Sequence, residues 1–368
     1  MPFTSLALRL PATVPFVGPE AIERRLGVPF QARLGANESV FGPSPRVVEA
    51  MARAASESWA YGDPEHFALR EAIAAHHGLH PDNIMVGEGI DGLFGLLAKL
   101  TLEPGDRAVT SLGAYPTFNY QVAGHGGSLD FVPYRDDRED IDALLDRARE
   151  KRTKLLYFAN PDNPTGSWHE SADVERLMRE TPNDTLLVLD EAYSDLAPPS
   201  ALPPIGRIQP NVLRFRTFSK AYGMAGVRVA YIVGAPETIA HFNKVRNHFG
   251  VSRMAQAGAL AALADQGFLS ETVARIVRAR DRLAKIAGDA ELRPLPSATN
   301  FVTIDCGRDG AFARKVLDGV LAERVFIRMP GVAPLDRMIR VTVGTDEQLE
   351  LFAAALAKSL EKARRELG

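Results

Sequence analysis

A chain of 368 residues that is 46% hydrophobic and 24% charged has the length of about two domains and the make-up of an ordinary globular protein. Its 43 Lys and Arg against 46 Asp and Glu leave a net charge of -3, which excludes a global basic field for holding nucleic acid. The single cysteine, Cys306, excludes an internal disulfide and implies a reducing, cytoplasmic compartment; the chain also lacks an apolar run of about 18 residues, a basic leader before Leu10, and any Cys or His spacing suited to a metal.

The first 40 or so residues, rich in Pro and Gly, read as an arm that must pack on something else. Ser44 and Pro45 combine an N-cap with proline at the first helical position and predict a helix to about Glu57. A second helix runs from Phe67 to His77 and stops at Gly78. Apolar runs at Asn83 to Val86, Arg107 to Ser111, Leu129 to Pro133, Lys154 to Ala159, Thr185 to Leu189, Val212 to Phe215 and Val227 to Val233 predict seven strands. Helical patterns separate most of them, so an α/β fold with right-handed crossovers and a mostly parallel seven-stranded sheet is expected. In such a sheet, functional groups gather at the carboxyl ends of the strands.

Near Ser270 the pattern changes. A long helix from Glu271 to Ala287, with Arg275, Arg278, Arg280 and Arg282 on a solvated face, leads to a strand at Asn300 to Asp305. A helix over Ala311 to Ala322, short strands at Val325 to Arg328 and Ile339 to Val343, and a last helix complete a smaller α+β unit. The expected division is an arm over 1–41 belonging to the small domain, a large domain over 42–266 and a small C-terminal domain over 267–368.

Gly87, Glu88, Gly89, Ile90, Asp91 and Gly92 spell G-x-G-x-x-G between a strand and a helix predicted over Ile90 to Leu100. A dinucleotide site would also want a carboxylate ending the next strand, and Arg107 to Leu112 ends without one. A cradle for the phosphate of another cofactor is the preferred reading, with a nicotinamide oxidoreductase and a plain turn as alternatives. His76, His77 and His80 read as capping and solvating a helix end and His125 as part of a Gly-rich turn, without catalytic roles.

Four predicted strand ends carry polar groups: Asn160-Pro161-Asp162-Asn163-Pro164-Thr165-Gly166, Asp190-Glu191-Ala192-Tyr193, Thr217-Phe218-Ser219-Lys220, and Gly226-Val227-Arg228. Over nearly the whole chain these motifs resemble those of the fold type I pyridoxal-phosphate aminotransferases, class I/II. The resemblance implies pyridoxal 5'-phosphate as cofactor, bound by the large domain. Lys220 is then the covalent anchor for its aldehyde and the general base, and Asp190 the carboxylate that keeps the ring nitrogen protonated. Asn163 and Tyr193 would hydrogen-bond the ring's phenolic oxygen, and Tyr115 would stack on the ring. The phosphate would be held by Gly89, the N–H groups of Ile90 and Asp91, the hydroxyls of Thr217 and Ser219, and Arg228. Tyr61 would reach the neighbouring subunit's phosphate, which implies a homodimer with shared sites.

On the substrate side the resemblance makes Arg340 the grip for the substrate carboxylate and Asn37 a further contact. The segments around Asn37 and over Thr217 to Tyr231 most resemble the branch containing histidinol-phosphate aminotransferase, in which Arg328 would help hold a substrate phosphate. A ping-pong transfer between L-histidinol phosphate and 2-oxoglutarate is therefore expected. Phe16, where that branch has a tyrosine, and Ile90-Asp91-Gly92 in the phosphate loop are departures. They keep open an aromatic or broad-specificity aminotransferase and a lyase like threonine-phosphate decarboxylase.

Overall fold

The computed structural model describes residues 2–12, 16–150 and 152–367. Its centre is a seven-stranded sheet in the spatial order Ile84–Gly87, Ala230–Val233, Val212–Thr217, Leu186–Asp190, Leu155–Ala159, Arg107–Ser111, Ser128–Val132. The last five pair in parallel, whereas Ala230–Val233 runs antiparallel to both its neighbours. Strands such as Leu155–Ala159 are buried at every residue, as a sheet covered on both faces requires. Alternation divides their side chains: Tyr157 and Val188 join Phe94, Phe118 and Phe215 on one face, while Phe158 and Leu189 join Val174 and Leu177 on the other.

Local chemistry sets the helix ends. The Ser44 hydroxyl accepts from the Val47 N–H (3.3 Å) at the start of Pro45–Ala55, and Gly78, in the left-handed region, ends Phe67–His77. The helix after the glycine loop is Gly89–Thr101, one residue longer at each end than the sequence pattern indicates. His77 is not simply solvated: its Nε2 lies 2.8 Å from the Tyr231 hydroxyl, and burial lowers its pKa.

A second sheet, in the order Met338–Thr342, Phe301–Asp305, Arg293–Pro294, is antiparallel and packs under the helices Gly310–Ala322 and Asp346–Leu367. The arm holds two short helices, Ser5–Arg9 and Pro19–Leu26, and then pairs Ala32–Arg33 in parallel with Val325–Phe326. Leu34 continues this contact, accepting from the Thr342 N–H at 2.8 Å. The long helix is Gln266–Asp289, starting before the expected Glu271. Its arginines are not all on a solvated face: Arg275 covers the Phe41 ring at 4.1 Å and Arg280 donates to the Thr299 carbonyl, while Arg282 pairs with Asp346 and Glu350.

Candidate active site

Three neighbouring strand ends build the floor of the site. Asp190 closes Leu186–Asp190, and Glu191 beside it is clamped between Arg214 and Arg216 of the next strand, so the turn that follows is held by a buried ion triad. That next strand runs two residues further than its apolar run suggests, to Thr217, and Lys220 follows in the loop. The expected strand over Val227 to Val233 begins only at Ala230, because Ala225–Val227 forms a tight turn and Arg228 sits at φ 60°.

Asp190 is buried. Its Oδ2 accepts from the Tyr157 hydroxyl at 2.8 Å and its Oδ1 from the Ala192 N–H at 3.0 Å. Burial raises its pKa to about 6, against the pull of those two hydrogen bonds. Burial lowers the Lys220 amine to about 8, and the charge of Arg340 acts in the same direction. Its Nζ donates to the Asn37 carbonyl at 3.1 Å and lies 5.6 Å from the centre of the Tyr193 ring. Such an amine loses its proton far more readily than a solvated lysine.

Asn37 ties the arm to this floor. Its backbone is left-handed (φ 55°), its Nδ2 donates to the Tyr193 hydroxyl at 2.9 Å, and its Oδ1 and N–H both meet the Thr342 hydroxyl. Asn300 donates to the same Asn37 carbonyl as Lys220, at 3.0 Å. Arg340 donates to the Asn163 side-chain oxygen and to the Gly35 carbonyl. Arg328 is bridged to Arg340 backbone to backbone; the Phe16 ring covers its guanidinium at 3.7 Å, and the Val17 carbonyl accepts from it. Neither guanidinium has a carboxylate within ion-pair distance among the described residues, and burial lowers the pKa of both, that of Arg328 to about 10. The Nε atoms of Arg328 and Arg340 and the Oδ1 of Asn300 are buried without partners.

The glycine loop faces Arg228. Gly89 opens its helix at φ 78°, and a Cβ there would stand 2.2 Å from the Arg228 Nη2, so only glycine admits the guanidinium. Arg228 donates to the Ala225 carbonyl and lies 3.7 Å from Asp91, which accepts from the Tyr115 hydroxyl at 3.1 Å. Thr217 and Ser219 are buried with their hydroxyls 2.9 Å apart. A helix start beside a guanidinium, at a corner where no Cβ stands, suits a phosphate, and the paired hydroxyls lie on a neighbouring strand end, since Gly87 and Thr217 both pair with Ala230.

The structure joins Lys220, Asn37 and Tyr193 in one set of contacts and Arg328, Arg340 and Asn163 in another, with the Phe301 ring between Arg340 and Tyr193. Gly89, Asp91, Tyr115 and Arg228 meet at the glycine loop, where Ile90 lies in the first turn of the helix, and Thr217 and Ser219 meet each other. Tyr61 stands apart: it is 75% exposed and stacks on Phe249 at 4.3 Å. Tyr157 and Thr342 were not singled out from the sequence. A hydroxyl inside the otherwise apolar run Lys154 to Ala159 is the signal for Tyr157, because a buried tyrosine needs a partner.

The model of the family described as aminotransferase class I and II matches residues 31–356. The chain belongs to that family. Among the class I and II aminotransferases it resembles the histidinol-phosphate aminotransferase of Moorella thermoacetica, 35% identical over 93% of this chain and 88% of that one. Histidinol-phosphate aminotransferase 1 of Mesorhizobium japonicum is 36% identical over 89% and 90%. Among solved structures, that of histidinol-phosphate aminotransferase from Sinorhizobium meliloti in complex with pyridoxal-5'-phosphate superposes with a TM-score of 0.95, at 52% identity over 98% of both chains. The aspartate aminotransferase of Thermus thermophilus with maleate gives 0.80 at 26% identity over 93% and 94%. Both aminotransferase folds carry the mostly parallel sheet seen here.

Proposed function

We propose that this aminotransferase uses pyridoxal 5'-phosphate to move an amino group between L-histidinol phosphate and 2-oxoglutarate. The observation that carries the substrate reading is the bridged pair Arg328 and Arg340, two guanidiniums that have no carboxylate partner, and whose buried Nε atoms have no hydrogen-bond partner, among the described residues. Such a pair suits one substrate with a doubly charged phosphate, which both guanidiniums can share, and another with two carboxylates: L-histidinol phosphate, which has no carboxylate, in one half-reaction and 2-oxoglutarate in the other. The 52% identity to the Sinorhizobium enzyme supports the same choice.

When bound, the cofactor supplies an aldehyde that takes up the amino group and a protonated ring that draws electron density from the substrate carbon. The chain's residues do the rest. The amine of Lys220, lowered to about 8, accepts and returns the proton at the substrate carbon. Asp190 keeps the ring nitrogen charged, Asn163 and Tyr193 hold the ring oxygen, and Tyr115 covers the ring. Gly89, Ile90, Asp91, Thr217, Ser219 and Arg228 hold the cofactor phosphate, Arg340 and Asn37 the carboxylate of 2-oxoglutarate, and Arg328 helps hold the phosphate of histidinol phosphate.

Exposed Tyr61, Phe249 and Trp59 support a homodimer in which Tyr61 completes the partner's cradle. The pairing of Ala32–Arg33 with Val325–Phe326 supports assigning 1–41 with 267–368 to the small domain and 42–266 to the cofactor domain. No helix among the described residues is long and apolar enough to cross a membrane, and the lone cysteine supports a cytoplasmic setting. The Phe16 ring over Arg328 favours one second reading, an aromatic amino-acid donor.

The test follows the cofactor spectrum of the purified enzyme with histidinol phosphate, threonine phosphate, glutamate and aromatic amino acids in turn. Rapid formation of the aminated cofactor with histidinol phosphate, and its reversal by 2-oxoglutarate, is expected. A faster response to an aromatic amino acid would overturn the phosphate assignment, and release of carbon dioxide from threonine phosphate would overturn transamination.

A further inference from the structure

Tyr157 and Asp190 lie on adjacent parallel strands. Ala159 pairs with Asp190 and Tyr157 with Val188, so the tyrosine and the carboxylate share one face of the sheet. Tyr157 is fully buried, stacked on Phe118 (4.8 Å, 26°) and set edge-on to Phe94 (5.9 Å). Its hydroxyl makes the 2.8 Å bond to Asp190, which has no Lys or Arg within ion-pair distance among the described residues. We propose that Tyr157 is a positioning residue for the cofactor, fixing the Asp190 carboxylate and keeping it ionised so that it can hold the protonated ring nitrogen.

This inference rests on the pyridoxal-phosphate reading above. The groups that face Asp190 come from several elements: Tyr157 from the next strand, Asp91 from the glycine-loop helix, Lys220 beyond the strand on its other side, Tyr193 in its own turn, and Glu139 from beneath. Burial and the charge of Asp91 favour the protonated acid, while the Tyr157 hydroxyl, the Ala192 N–H and Lys220 favour the carboxylate. The opposing sets leave Asp190 titrating just below neutrality, so the loss of one donor carries it across the working range. A neutral acid there would no longer hold a charged ring.

Tyr157→Phe removes the hydroxyl and keeps the ring that packs on Phe118. In cofactor-free protein, the Asp190 carboxyl is titrated by carbon-13 NMR and assigned with Asp190→Asn. A rise in its midpoint of about one unit or more, at least tenfold in the protonation equilibrium, is expected. Pyridoxal-phosphate affinity, read by fluorescence quenching, is expected to fall about twofold at pH 7 and about tenfold near pH 5, and to approach the wild type near pH 9, where both carboxyls are ionised. Phe118→Leu disturbs the packing and keeps the hydroxyl; it should lower the melting temperature and leave the midpoint alone. An unchanged midpoint in Tyr157→Phe, an equal shift in Phe118→Leu, or an affinity loss that ignores pH overturns the proposal. A wild-type protein that fails to bind pyridoxal phosphate would overturn the cofactor reading instead, while the carboxyl titration would still decide the coupling.

Discussion

Gly89→Ala separates two effects that meet at one atom. At φ 78° the residue is in the left-handed region, which costs a non-glycine residue about 1–2 kcal/mol whatever is bound. The new methyl would also stand 2.2 Å from Nη2 and 2.8 Å from Cζ of Arg228. The arginine side chain is 47% exposed, so it can swing outward and leave the cradle rather than break the fold. Losing its contact to a phosphate removes a charge-assisted hydrogen bond of about 1.5–3 kcal/mol, or roughly 10- to 150-fold in cofactor affinity. The strain is read by denaturant unfolding of cofactor-free protein and the affinity by titrating pyridoxal phosphate into it. Gly92→Ala is the matched control: its Cβ would come no closer than 3.4 Å to Glu88, and inside a helix alanine is favoured over glycine. If Gly89→Ala bound the cofactor within about twofold of the wild type while Gly92→Ala did the same, the loop would not be the phosphate cradle.

Other perturbations probe the remaining groups. Lys220→Met should abolish the visible absorbance of bound cofactor, and it also carries a pH signature. The unfolded lysine keeps its proton to about 10.5 while the folded one releases it near 8, so between those values the unfolded chain binds more protons and wild-type stability rises with pH. Cofactor-free Lys220→Met should therefore exceed the wild type by up to about 3 kcal/mol below pH 8, with the gap closing toward pH 10.5; a gap independent of pH would contradict the buried-amine account. Arg328→Ala should raise KM for histidinol phosphate about 10- to 150-fold and leave KM for unphosphorylated histidinol nearly unchanged, and equal effects on the two would remove Arg328 from the phosphate site. Inactive Tyr61→Ala and inactive Lys220→Ala, mixed and allowed to exchange subunits, should regain activity, because the second donates an intact Tyr61 to the first; no recovery in a confirmed heterodimer would place Tyr61 outside the shared site.

The strand ends were readable because the chemistry follows directly on apolar runs. Asp190 closes, and Asn163 and Lys220 closely follow, runs that only a covered strand would tolerate, so their positions can be read from sequence. The strand limits themselves differ by one to three residues: Thr217 is polar, and nothing in an apolar pattern says that the hydrogen-bonded ladder continues through it. An apolar run does not report strand direction, and Ala230–Val233 is antiparallel to both its neighbours. Parallel neighbours need a crossover of a dozen or more residues that usually holds a helix, and residues 218–229 are at that lower limit and hold no α-helix, which suits an antiparallel return. Gly223 and the left-handed Arg228 supply the turning points, and that return aims Arg228 at the glycine loop.

The links between motifs were not readable, since they join residues remote in sequence. Asn37 reaches Tyr193 and Thr342, Arg340 reaches Asn163, and Tyr157 reaches Asp190, and no local periodicity reports such pairs. Their geometry gives the arm a more specific task than packing. Asn37 offers one carbonyl to both Lys220 and Asn300 while its side chain holds Tyr193, so the position of the reactive amine depends on a residue whose own backbone is left-handed. Arg340 occupies the Asn163 oxygen, which leaves the Asn163 amide hydrogens as the donors that the proposed contact to the ring oxygen would need. A substrate carboxylate that draws on Arg340 would weaken that hold, so a single guanidinium connects the group that grips the substrate to the group that tunes the ring.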